Sequence, residues 1–162
     1  MRIIIDGYNL IWAVPELREK VLKTRAEGIN LEEGRKRLLH FLNLYQRGHP
    51  KLDITVVFDA KEEIFPYSPS QPGVRVLYSK EETADSLIKR IVEDEKKPQE
   101  TLVVTSDREL KGKVKEKGAQ VIGSLSFFER ISPAKKRIYH KELSGQQENL
   151  IKEELKRTYK IE

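Results

Sequence analysis

Ile3, Ile4 and Ile5 make an unbroken run of β-branched apolar residues that stops at Asp6-Gly7. A run of this kind reads as a short strand buried on both faces. The spacing then lengthens to a helical period. After Pro15, which suits a first helical turn, Leu17, Val21 and Leu22 predict a charged helix over 15–27 that Gly28 can end. The same stretch also suits a flap beside the first strand's exit. The clearest helix is Leu31 to Arg47, with Leu31, Leu38, Leu42 and Tyr45 on one stripe and Phe41 beside it. Arg35, Lys36 and Arg37 are expected to flank that stripe or face away, and Gly48-His49-Pro50 ends the element.

Strand and helix then alternate. Leu52 to Phe58 is a second strand that again ends at a carboxylate, Asp59. Residues 60–73 form a loop with three prolines and two serines, long enough to suggest a functional role. Val74 to Tyr78 alternates as a third strand. Thr83 suits the N-cap of the next helix, whose buried face is Leu87, Ile88, Ile91 and Val92, and which Lys96-Lys97-Pro98 closes. Thr101 to Thr105 is a fourth strand, and Ser106-Asp107-Arg108-Glu109 matches a capping box with Ser106 at the cap. That helix runs to about Lys117, Gly118 fits its end, Ala119 to Ile122 is a fifth strand, and 124–131 is a last small helix. This order predicts an α/β fold, a mainly parallel sheet with helices on both faces. Right-handed crossovers place every strand's exit on one edge. Residues 1–131 read as one domain, and 132–162 as a basic C-terminal tail, helical in part, that carries Lys135, Lys136, Arg137 and Tyr139.

Composition narrows the chemistry. A chain of 162 residues suits one domain with a real core. It has no cysteine, which excludes disulfides and zinc-thiolate sites and agrees with a cytoplasmic setting. No stretch is long and apolar enough to cross a membrane, and the start lacks a signal-peptide pattern. The balance of 31 Lys+Arg against 26 Asp+Glu, net +5, is compatible with a polyanionic partner. Oligomeric state is not readable from it.

The predicted topology brings four carboxylates to one edge. Asp6 and Asp59 follow strands one and two, Asp85 opens the helix after strand three, and Asp107 opens the helix after strand four. Like charges at close range repel, and divalent cations remove that cost. Mg2+ or Mn2+, one or two ions, prefers oxygen ligands and keeps positions for water and phosphate. Asn9 and Ser106 can orient a ligand or substrate without adding charge. No phosphate-binding glycine loop, cysteine nucleophile or ordered serine–histidine pair occurs, and His40, His49 and His140 lack metal-ligand spacing. An Asp-x-Asp phosphatase is unsupported, because Tyr8 stands where its second acid belongs.

The segments 3–11 (Ile-Ile-Ile-Asp-Gly-Tyr-Asn-Leu-Ile), 56–60 (Val-Val-Phe-Asp-Ala), 82–85 (Glu-Thr-Ala-Asp) and 103–107 (Val-Val-Thr-Ser-Asp) resemble the NYN branch of the PIN-like ribonucleases, and its YacP-like group in particular. The resemblance implies a three-layer α/β/α sandwich and divalent-metal-dependent endoribonuclease activity. It implies acidic metal ligands at Asp6, Asp59, Asp85 and Asp107, with Asn9 in the site. The family includes a bacterial ribosome-associated endoribonuclease, so mRNA and the ribosome are the partners it implies. Substrate contacts are expected at Tyr8, Ser106, Arg108, Lys135, Lys136 and Arg137, with Lys111, Lys113 and Trp12 as further candidates. The rival reading is a non-catalytic RNA- or ribosome-binding module with the same shell.

Overall fold

The computed structural model describes residues 1–22, 30–59 and 73–132. Five strands run β1 (Arg2–Asp6), β2 (Asp53–Phe58), β3 (Val74–Tyr78), β4 (Thr101–Val104) and β5 (Gln120–Ile122). They form one sheet in the order β3-β2-β1-β4-β5, and every pairing is parallel. The central β1 pairs Ile5 with Val56 on one side and Val104 on the other, and its isoleucines are buried in the cores on both faces of the sheet. The edge strand β3 alternates buried and more exposed residues, as its sequence does.

Six α-helices are present among the described residues: α1 (Gly7–Ala13), α2 (Pro15–Leu22), α3 (Leu31–Gly48), α4 (Ala84–Glu93), α5 (Arg108–Glu116) and α6 (Ser124–Ile131). Strand parity divides the core. Ile3, Ile5, Val56, Phe58 and Val104 pack with α1, α2, α3 and α6 on one face. Ile4, Val57 and Val103 pack with α4 and α5 on the other. The expected three-layer α/β/α sandwich is what the chain forms. The end of the predicted helix over 15–27, the loop 60–72, and the tail with Lys135, Lys136, Arg137 and Tyr139 lie outside the described residues.

After Asp6 the chain passes directly into α1 at Gly7. A Cβ at Gly7 would stand 2.5 Å from Phe58 Cε1 and 3.0 Å from Val56 Cγ1, so the glycine is there for the close approach of α1 to β2. Arg35 does not face away from the stripe. It is 4% exposed, and its Nη1 donates to the Tyr8 hydroxyl at 2.5 Å. A guanidinium this buried requires such a bond. Finally, α5 is capped by Asp107, whose Oδ1 accepts from Leu110 N–H at 3.0 Å, and not by Ser106.

Candidate active site

The strand order reverses direction between β1 and β4. Open parallel sheets bind ligands at such a point, outside the carboxyl ends of the strands. Asp6 ends β1 there and Thr105 to Asp107 follow β4. Asp6 has the parity of Ile4, so it falls on the α4–α5 side of the sheet. It is the N-cap residue of α1, yet its side chain makes no capping bond. Its Oδ2 instead accepts from the Thr105 hydroxyl at 3.1 Å. Thr105 Oγ1 in turn accepts from Asp107 N–H at 3.1 Å. One buried hydroxyl therefore links the exits of β1 and β4. Sequence reading missed Thr105, although its parity with Val103 at the end of an apolar strand already marked it as inward.

The other acids enter from the same layer. Asp85 sits in the first turn of α4, where Thr83 accepts from Ser86 N–H at 3.2 Å as the expected cap. Asp107 opens α5. Asp59, exposed just past β2, accepts from the buried Ser79 hydroxyl at 3.1 Å.

Their electrostatics are coupled. Burial lifts the Asp6 carboxyl to about 6, the Thr105 bond opposes this, and the charges of Asp85, Asp107 and Asp59 push it further up. Among the described residues, the leading charge effects on Asp6 come from these carboxylates. Asp85 is also raised, by burial first and then by Asp107; Lys89 opposes this, and Glu109 and Asp59 add to it. The structure thus brings Asp6, Asp59, Asp85 and Asp107 within one another's field. Among the described residues, no three acidic or histidine side chains already close into a metal shell. An all-oxygen donor set whose most buried member is pushed up by three neighbouring carboxylates suits a hard divalent cation that retains water and phosphate ligands.

Asn9 lies on the β4 side. Its Oδ1 accepts from Ser106 N–H at 2.8 Å and from the Ser124 hydroxyl at 2.7 Å. Ser106 Oγ accepts from Ser124 N–H at 3.1 Å. Asn9 and Ser106 are therefore partners, and they tie α1, the β4–α5 turn and α6 together. Ser124, fully buried at the start of α6, was not expected in this role. Arg108 is exposed on the first turn of α5. Tyr8 is directed to the opposite layer, where its ring packs 5.0 Å from Phe58. Trp12 is 38% exposed.

Comparison with known proteins agrees with this architecture. A family model described as "YacP-like NYN domain" matches residues 3–161. No curated protein matches the chain. Two crystal structures of Rae1 (YacP) from Bacillus subtilis are similar. The first, of a tryptophan-to-leucine mutant, has 25% identity and a TM-score of 0.65, with 94% of this chain and 91% of that chain covered. The second has the same identity and TM-score, with 98% of this chain and 83% of that one covered. With its parallel sheet, its acids at the reversal point and a match over nearly its whole length, the chain belongs to the YacP-like NYN domain family, whose fold is that of the PIN-like nucleases.

Proposed function

We propose that the protein is a divalent-metal-dependent endoribonuclease that cleaves phosphodiester bonds by hydrolysis. The observation that carries this reading is Asp6: a carboxylate 8% exposed, raised to about 6 by burial and then by the charges of Asp85, Asp107 and Asp59. A site used only to bind a polyanion gains nothing from buried negative charge. Asp6, Asp59, Asp85 and Asp107 would hold one or two Mg2+ or Mn2+ ions. When bound, such an ion neutralises charge that builds on the phosphate and makes an adjacent water more acidic.

The chain's own residues have separate tasks. Thr105 holds Asp6 Oδ2 in place. The Leu110 N–H holds one oxygen of Asp107, which fixes the direction of the other. Asn9, through Ser106 N–H, keeps the β4–α5 turn against α1 and so sets the separation of Asp6 and Asp107. Arg108 and Ser106 stand beside the acids as substrate contacts. Lys135, Lys136 and Arg137 belong to the same proposal as backbone contacts from the tail. Hydrolysis of this type leaves 5′-phosphate and 3′-hydroxyl ends.

Family resemblance supports mRNA on the ribosome as the substrate, in the cytoplasm. Labelled RNA, naked or on translating ribosomes, should be cut in Mn2+ or Mg2+ by the parent. Asp6→Asn and Asp85→Asn should abolish cutting. Metal-dependent cleavage that persists in both variants would sink the assignment of the site. RNA binding without cleavage on either substrate would favour the non-catalytic module.

A further inference from the structure

Ion pairing sorts the lysines and arginines into two populations. On α3, Lys36 pairs with Glu32 and Arg37 with Glu16, while Arg35 is buried against Tyr8. On α5, Lys113 is held by Glu109 and Lys117, at the helix end, by Glu93. Arg108, Lys111 and Lys115 have no acidic partner among the described residues. Their spacing of three and four puts them on one face of α5. Lys111 and Lys115 are like charges one turn apart, which repel on an isolated helix. Among the described residues no ion pair relieves that repulsion.

The row begins next to Asp107 and therefore at the rim of the acidic pocket. Lys111 extends toward the start of α6: a Cβ placed at Gly123 would lie 3.8 Å from its Nζ and 3.9 Å from Ser106 Oγ. The ammonium group thus stands beside the turn that Asn9 clamps, on the β5 side of the acids.

We propose that Arg108, Lys111 and Lys115 form the track for the sugar-phosphate backbone of a single-stranded RNA that leaves the cleavage site over the β4–β5 side. This deepens the nuclease reading and rests on it. The occupant follows from charge and continuity. A polyanionic strand supplies at regular intervals the counter-charges that α5 lacks, and the track meets the acids at Asp107. A single strand can bend to lower one phosphate toward the recessed Asp6. Lysine and arginine contacts of this kind grip phosphate and carry no sequence information. Lys113, a candidate from sequence, already pairs with Glu109 and is left out of the track.

Binding of a labelled oligouridine in EDTA, over a range of salt, tests the track apart from cleavage. Each phosphate contact contributes about 0.7 to the slope of log K against log salt for single strands, so R108Q/K111Q/K115Q should flatten it by about 2. Affinity should fall at least about tenfold, and under cleavage conditions KM should rise with kcat unchanged. K96Q/K97Q, at the amino-terminal end of β4 and away from the strand exits, should bind as the parent does. Unchanged affinity and slope in the triple variant, an equal loss in both variants, or a parent that binds no RNA would each overturn the track. A parent that fails to cleave while the triple variant alone loses binding would leave the track standing and remove the nuclease reading instead.

Discussion

Asp6 has a folded-state pKa of about 6 against an ordinary value of 3.8. The folded protein therefore holds that proton more tightly than the unfolded chain does. The stabilisation is complete below about pH 3.8 and is lost as pH rises through about 6. At one pKa unit per ~1.4 kcal/mol, the loss is about 1–3 kcal/mol. In EDTA, Asp6→Asn should be more stable than the parent by that amount at pH 8 and no more stable at pH 4. Urea unfolding of both proteins at the two pH values measures it. A stability difference that does not vary with pH would show that the Asp6 carboxyl is not held at a cost. Gain of stability with loss of cleavage is the expected signature of a residue retained for chemistry.

At the scale of elements, Asp107 and Ser124 do work that a list of acids conceals. Asp107 caps α5, and Asn is as good a cap as Asp. Asp107→Asn should keep stability within a few tenths of a kcal/mol and lose cleavage. Asp107→Ala should lose cleavage and cost about 1 kcal/mol as well. Thermal melts beside cleavage assays separate the two roles, and full activity in the Asn variant would reduce Asp107 to a cap. Ser124→Ala removes one bond to Asn9 and should cost about 1 kcal/mol. The helix layer has its own tight point at Gly34, where a Cβ would meet Val21 Cγ2 at 2.4 Å. Gly34→Ala should destabilise by about 1–3 kcal/mol through separation of α2 from α3, read as a lower urea midpoint. A neutral outcome would mean that the two helices are not held at this distance.

Over the whole molecule, the four acids are expected to act as one cation site. A cation that binds only the folded state stabilises it by about 2.7 kcal/mol at a hundred times its dissociation constant. Mn2+ should therefore raise the melting temperature of the parent and much less that of Asp6→Asn or Asp85→Asn. An equal rise in all three would place the ion elsewhere. Among the described residues charge is distributed to match: carboxylates at the reversal point of the sheet, cations without an ion pair along one face of α5, and Lys36 and Arg37 paired with acids on α3. No helix among the described residues is long and apolar enough to cross a membrane.

The alternation of strands and helices, the acids at the strand exits and the cap at Thr83 were all legible along the chain. They follow from periods of about two and three to four residues and from local backbone bonds, which any short stretch carries within itself. Tertiary structure alone decided who meets whom. Thr105 reaches Asp6 across 99 positions and Ser106 reaches Asn9 across 97. Period assigns a residue to a face but does not name the strand beside it, so β1 lying between β2 and β4 was not readable. The burial of Arg35, the close contact that requires Gly7 and the exchange of Ser106 for Asp107 as the cap share that reason. Each depends on the packing of distant segments, where one hydrogen bond or one missing methyl group overrides the local preference.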